Sequence, residues 1–137
     1  MNAQELRIGN IIAFGDNQVI VKGIHTDTVL YNKPPHIYVD LNNKLPYQCF
    51  ALNDLSPIPI TPAILEAAGF ELSLYEKPTY CKMVGGIGIY LQFKKYGLYQ
   101  VLAGTPGAIG CKLKYVHQLQ NRVQSLTNTE LTITLPQ

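Results

Sequence analysis

The sequence predicts an α+β fold: an N-terminal small SH3-like β-meander followed by an antiparallel sheet flanked by two helices. Three observations favour this class. Short apolar runs alternate with turn residues, two segments carry helical signals, and 137 residues is a common size for one domain. We therefore expect a single compact domain over residues 1–137, with a β-meander and irregular bridge at 1–57 and an α-β-sheet-α-β arrangement at 58–137.

The first sub-unit contains apolar runs that predict strands, at residues 11–14, 19–21 and 28–31. Gly15, Asp16 and Asn17 tolerate positive φ, so they predict a hairpin that joins the first run to residues 18–24. Prolines interrupt the chain from residue 32 to 59. Because proline cannot donate to a ladder, residues 36–40 and 48–52 are predicted to be short edge strands at best.

The second sub-unit opens with a predicted helix at residues 62–68. Thr61 can cap its N-terminus, Pro62 suits the first helical position, and Gly69 supplies a left-handed stop. Five β-rich runs with short turns follow and predict an antiparallel meander, at residues 70–75, 79–84, 88–93, 98–102 and 108–113.

The last part of the chain predicts a helix at residues 115–127 and a strand at 131–135. Five apolar residues fall within one helical arc about 100° wide, which predicts one face packed on the sheet: Tyr115, Val116, Leu119, Val123 and Leu126. The terminal segment alternates apolar and polar residues with a period of two until Pro136, which is the strand pattern.

The charge distribution is the most informative functional feature. The segment from Lys77 to Thr129 has seven basic residues, seven glycines and six aromatic residues, while all nine acidic residues lie outside it. This composition suits backbone and ring contacts with an anion. The formal net charge is only +2, so any anion site must be local.

Other sequence features limit the classes of function. Three cysteines in an odd count with no C-x-x-C pair favour reduced thiols, and no segment suits a signal peptide or a membrane span, so we expect a cytoplasmic protein of the host cell. The histidines and cysteines lack zinc spacing, and no catalytic constellation is evident. We expect no cofactor, no metal and no membrane partner, and enzyme activity ranks below binding.

Three blocks of the chain resemble a family of uncharacterised small proteins of Bacteroidetes genomes and their phages or prophages. They read ELRIGN from Glu5, IPITP from Ile58 with Gly69-Phe70, and YVHQLQN from Tyr115 with the later Leu126-Thr127 and Glu130-Leu131. The resemblance implies no known activity. It implies a phage or prophage setting, in which small proteins often bind and neutralise components of host defence.

Two glycine-rich runs in the basic half are candidate phosphate contacts. The first includes Lys82, Gly85 and Gly86, and the second includes Thr105 and Gly107. Neither has P-loop spacing, and a hairpin turn is the better interpretation of the first. A mobile surface loop explains the second equally well.

The remaining candidate ligand residues lie between and after these runs: Lys94, Tyr96, Lys112, His117, Asn121 and Gln124. With Gln120, the last three form a polar stripe on the predicted helix at i, i+3, i+4 and i+7. Most such stripes are solvated surfaces, although Lys and Glu would usually serve solubility there. Arg122 could form a fork with a phosphate, but a snorkelling side chain is the simpler interpretation.

The leading hypothesis is a non-enzymatic protein that binds or sequesters a small phosphate-bearing anion, such as a nucleotide-type signal, to counter host defence. A homo-oligomer could enclose the ligand. The alternative is a protein–protein module that docks on a host or phage protein through tyrosines and the amide-rich helix. The third is single-stranded nucleic-acid binding, which the near-neutral charge disfavours.

Overall fold

The computed structural model describes residues 3–25, 36–40, 48–74, 78–94, 97–101 and 109–134. The chain divides into two compact units, Met1–Ile58 and Pro59–Gln137. The first contains a four-stranded sheet, and the second contains a five-stranded antiparallel sheet and two α-helices. The α+β class is confirmed.

The first unit is an antiparallel meander of four strands in sequence order. These are β1 (Ile11–Phe14), β2 (Asn17–His25), β3 (His36–Asp40) and β4 (Gln48–Ala51), with short 3-10 helices at Ala3–Glu5 and Leu52–Asp54. Phe14 pairs with Asn17 around the predicted hairpin turn, where Gly15 has a φ of 57°. The predicted strand at residues 28–31 lies outside the described residues.

The prediction that β3 is an edge strand is wrong. β3 pairs with β2 on one side and β4 on the other, so it is an inner strand. The prolines lie before and after this strand, at positions 34, 35 and 46, and the strand itself contains none. Every residue of β3 therefore has an N–H group for the ladders.

The ELRIGN segment forms a turn that closes the start of the first unit. Asn10 is fully buried, and its Oδ1 accepts a hydrogen bond from the Arg7 N–H at 2.7 Å. The Asn10 N–H donates to the Arg7 carbonyl at 3.0 Å, and the Gly9 N–H donates to the Val21 carbonyl at 2.8 Å. Gly9 has a φ of 96°, a conformation that favours glycine. These residues therefore have a structural role beside the core of the first unit.

The second unit has seven elements in the predicted order. They are α1 (Pro62–Ala67), β5 (Glu71–Ser73), β6 (Thr79–Val84), β7 (Ile87–Lys94), β8 (Gly97–Val101), β9 (Ile109–Leu113) and α2 (Val116–Thr127). The strands form one meander from β5 to β9. Helix α1 ends one residue earlier than predicted, and its flanking residues act as predicted: Thr61 Oγ1 accepts from the Ile64 N–H at 3.3 Å, and Gly69 has a φ of 87°.

The segments that lead into the two helices are joined to each other. Pro59 forms an antiparallel bridge with Tyr115, and the Ile60 N–H donates to the Lys114 carbonyl at 3.1 Å. At the start of α2, Gln118 Oε1 accepts from the N–H groups of Lys114 and Tyr115, at 2.9 and 3.1 Å. The second and third blocks of the family resemblance therefore meet in space, and both contribute to this junction.

The two faces of the five-stranded sheet differ in burial. One face forms the core of the unit, with buried side chains that include Ile89, Leu91, Leu98 and Leu113. Helix α2 contacts β7 and buries its own apolar residues. On the opposite face, all the side chains that the structure describes are half-buried or exposed.

The predicted terminal strand is wrong for the part of it that the structure describes. Residues 131–134 form no strand, and residue 135 lies outside the described ranges. Leu131 and Ile133 are nevertheless buried while Thr132 and Thr134 are exposed. The alternation of apolar and polar residues therefore indicated which side chains are buried. It did not establish a strand, because a strand also requires backbone pairing with a neighbour.

The turn between β6 and β7 allows a test of how glycine geometry supports the sheet. Gly85 and Gly86 both have positive φ, 57° and 79°, as a two-residue type I′ turn requires. A Cβ on Gly85 would lie 2.9 Å from Thr129 Oγ1 and 3.1 Å from the Thr127 carbonyl oxygen, whereas one on Gly86 would meet open space.

We expect Gly86→Ala to lower the free energy of unfolding by about 1 kcal/mol through backbone strain, and Gly85→Ala to lower it by about 2 kcal/mol or more, because a steric clash is added. Urea unfolding of both variants beside the wild type measures the difference. Equal losses would show that the turn does not pack against the end of α2 in this way.

Candidate functional site

The sheet separates the predicted basic ligand residues onto two faces. Lys82 belongs to the core face, because it pairs with the buried Ile89. Lys94 and Lys112 alternate with core residues on β7 and β9, so they lie on the opposite face. The described basic residues therefore do not form one continuous surface.

Lys82 has a structural role. Its Nζ donates to the Ala68 carbonyl at 2.5 Å, at the C-terminal end of α1, and it lies 2.9 Å from the position of a Cβ on Gly69. A cation near the last carbonyls of a helix is favourable, because those carbonyls carry partial negative charge. Lys82 is thus placed away from Lys94 and Lys112.

The opposite face, here called the polar sheet face, carries a continuous row of hydrogen-bonding groups across the strands. Paired residues place Ser73 beside Thr79, Gln92 beside Tyr99, and Tyr99 beside Lys112. Gln92 Nε2 donates to Thr79 Oγ1 at 2.9 Å, which joins β7 to β6. The Lys112 Nζ lies 5.9 Å from the centre of the Tyr99 ring, within the range of a cation–π contact.

One position in this face lacks a side chain, and two lysines border it. Gly97 pairs with Lys94 across β7 and β8, and a Cβ on Gly97 would lie 3.1 Å from Lys112 Cε. We call Lys94, Gly97 and Lys112 the Gly97 notch. Gly97 has a φ of 139°, so a side chain there would be strained as well as crowded. The Lys112 stem therefore occupies the space that a side chain at Gly97 would take, which brings its ammonium group to the residue that pairs with Lys94.

Strand β7 also carries a tyrosine, and its ring lies over a second glycine of the polar sheet face. Tyr90 lies two residues before Gln92 on the polar sheet face. Its Cε2 and Oη atoms are both 2.9 Å from the position that a Cβ on Gly88 would take. The ring therefore extends over Gly88 and remains half-buried.

The polar stripe predicted on α2 is only partly at the surface. His117 and Gln120 are 0% and 2% exposed, while Asn121 and Gln124 are half-buried. The His117 ring stacks on the Tyr115 ring, with centroids 5.8 Å apart and planes at 10°. The predicted apolar arc was thus too narrow and misplaced, because the helix buries a broader arc that includes two polar residues.

Arg122 has a partner within the unit. Its Nε donates to Gln100 Oε1 at 2.7 Å, and Gln100 is buried on the core face of β8. The hydrogen bond joins α2 to the sheet and satisfies a buried amide. Arg122 is therefore best explained as a packing residue.

The other predicted ligand residues lie either in a turn or outside the described residues. Gly85 and Gly86 form the hairpin turn between β6 and β7, which supports the simpler of the two interpretations. Tyr96, Thr105 and Gly107 lie outside the described residues. Of the predicted residues that the structure describes, Lys94 and Lys112 lie on the polar sheet face, and Asn121 and Gln124 lie elsewhere on α2.

Gln92, Tyr90 and Gly97 were absent from the predicted site. Tyr90, Gln92 and Lys94 occur at i, i+2 and i+4, a spacing that places them on one face of a strand. That signal was available in the sequence. The proximity of Gly97 to Lys112 depends on the pairing of β8 with β9, which no local pattern reveals.

The described residues contain no group of three or more His, Cys, Asp or Glu side chains that could hold a metal ion. Neither helix in the described ranges is long and apolar enough to cross a membrane.

Comparison of the chain with protein-family models, curated proteins and solved structures gives no match. The functional assignment therefore depends on the geometry of the site.

A cysteine beside the polar row gives a test of the local electrostatics. Cys81 pairs with Glu71 across β5 and β6. Partial burial, and then the negative charge of Glu71, raise the pKa of the Cys81 thiol. Its Sγ–H donates to the Thr79 carbonyl at 3.6 Å, whereas Cys111 is exposed.

We expect iodoacetamide at pH 8 to modify Cys111 several-fold faster than Cys81, because the thiolate is the nucleophile and a raised pKa lowers its fraction. Glu71→Gln should accelerate only Cys81. Peptide mapping by mass spectrometry follows each thiol, and Glu66→Gln, which removes an exposed carboxylate from α1, is the charge-matched control. An unchanged Cys81 rate in Glu71→Gln would contradict the electrostatic explanation.

Proposed function

We propose that this is a non-enzymatic binding protein that holds a small phosphate-bearing anion at the Gly97 notch. The observation that supports the proposal is the position of Lys94 and Lys112 around a residue without a side chain. In the phage or prophage setting that the family resemblance suggests, such a protein would sequester a nucleotide-type signal of host defence. A homo-oligomer enclosing the ligand is part of the proposal.

The charges around the notch favour an anion. Strands β6 to β9 contain no acidic residue, and Glu71 on β5 is separated from β8 by two strands. Two ammonium groups on flexible stems can each donate several hydrogen bonds to phosphate oxygens. The absence of a Cβ at Gly97 leaves room for the Lys112 stem, whose Nζ lies 3.9 Å from the position that a Cβ on Gly97 would take. Together these features concentrate positive charge at one position.

The geometry gives less support to protein docking through the amide-rich helix. His117 and Gln120 are buried, so half of the predicted stripe is removed from the surface of α2. Single-stranded nucleic acid is disfavoured by charge: Lys82 faces the core side of the sheet, and the whole chain carries a net charge of only +2. A compact anion requires only the two lysines at the notch.

Substitution of the notch lysines tests the proposal. We expect Lys94→Gln and Lys112→Gln each to weaken binding about fivefold to tenfold, and the double variant more than either, because each removes charge-assisted hydrogen bonds at a partly exposed site. Isothermal titration against pyrophosphate and a panel of nucleotides measures the affinities. Lys22→Gln removes one exposed charge from the first unit and should leave them unchanged.

The salt dependence separates a compact anion from a polyanion. With two phosphate-contacting lysines we expect a shallow decrease of affinity with salt, in contrast to the steep slope of a protein that neutralises many phosphates. Absence of heat with every phosphate compound at high protein concentration would refute the proposal. Equal loss in Lys22→Gln and Lys94→Gln would show that net charge, and not the notch, determines binding.

A further inference from the structure

We infer that the ligand of the polar sheet face is an adenine nucleotide, with its base over Gln92 and its phosphate in the Gly97 notch. The inference rests on the proposed function, because it specifies the ligand molecule that carries the phosphate group. Gln92 precedes Lys94 by two residues on β7, so both side chains leave the same face about 7 Å apart along the strand. In a nucleotide the sugar separates the base from the phosphate. With the phosphate at the Gly97 notch, the base would therefore lie over the row that contains Gln92.

The Gln92 amide is oriented and retains groups for a ligand. Its Nε2 donates to Thr79 Oγ1 at 2.9 Å, which uses one of the two N–H donors of the amide. The second N–H and the Oε1 oxygen form an adjacent donor and acceptor. Adenine presents the complementary pair, an acceptor at N7 and a donor at N6, and glutamine is a usual partner for that edge. Phosphate alone would make no use of this amide.

One aromatic ring lies directly beside Gln92 on the same face. Tyr99 is its direct partner across β7 and β8, and Tyr90 lies two residues before it on β7. Tyrosine rings contribute to binding by stacking on bases. The ring of Tyr90 lies over Gly88, on the side away from Gln92, so the stacking contact is assigned to Tyr99. The face thus offers stacking and base-edge hydrogen bonds in one row, with the phosphate site beside it.

The occupant assigned to this face is a free nucleotide. Two lysines complement the charge of one terminal phosphate group, and the near-neutral net charge gives a longer strand little additional attraction. The three groups assigned to the ligand, Gln92, Tyr99 and Lys112, lie on adjacent strands, so the outer two strands are about 10 Å apart. An oligonucleotide is therefore an alternative that the experiment must reject.

The test compares AMP, ribose 5-phosphate and pyrophosphate by isothermal titration with the full chain. We expect AMP to bind about tenfold or more tightly than ribose 5-phosphate, and Gln92→Met to abolish that difference while it leaves ribose 5-phosphate binding unchanged. Gln18→Met, at an exposed position of β2, is the matched control. Circular dichroism melting reports whether each variant is folded.

A second variant keeps the inference testable if Gln92→Met does not fold. Tyr99→Leu retains Gln92, Lys94 and Lys112 but removes the ring beside Gln92, so it should weaken AMP and not ribose 5-phosphate. Equal affinity of AMP and ribose 5-phosphate would overturn the inference and leave the proposed phosphate site intact. No binding of any phosphate compound would refute both. Tighter binding of an oligoadenylate with a steep salt slope would overturn the assignment to a free nucleotide.

Discussion

The alternation of side chains along the strands of the five-stranded sheet is the constraint on which the rest of the second unit depends. One face must bury Leu91 and its neighbours, and α2 packs against this sheet. The opposite face then receives Gln92, Lys94 and Tyr99 as a necessary consequence. A slip of one residue in the register would exchange the two sets, expose the core and bury the lysines. The candidate site and the core are therefore specified by the same pairing.

The rotation of α2 about its axis is specified by polar as well as apolar contacts. Arg122 reaches Gln100 on β8, and this bond satisfies a glutamine that the sheet buries. His117 and Gln120 extend the buried arc of the helix beyond its apolar residues. Because a buried amide without a partner costs free energy, such contacts discriminate strongly against other rotations of the helix. The amides of α2 are thus better explained by packing than by an external ligand.

Much of the fold could be predicted because its determinants are local. Thr61 and Gly69 mark the ends of α1 by their own chemistry, and Gly85 with Gly86 marks a turn. The errors arose where long-range pairing or packing decides: the inner position of β3, the arc that α2 buries, and the unpaired terminal segment. The candidate site could be predicted only in part for the same reason. Lys94 and Lys112 lie 18 positions apart, and only the pairing of three strands brings both to Gly97.

In the folded unit, the acid-free half of the chain offers fewer basic groups to an external anion than the sequence suggests. Of its basic residues, Lys82 binds a helix carbonyl and Arg122 binds a glutamine, and both contacts are intramolecular. The lack of acids matters instead around Lys94 and Lys112, where a nearby carboxylate would compete with an external anion for both ammonium groups. Two lysines so placed can balance one phosphate group but not a long row of phosphates. The distribution of charge therefore favours a compact ligand, with selectivity supplied by the uncharged groups of β7 and β8.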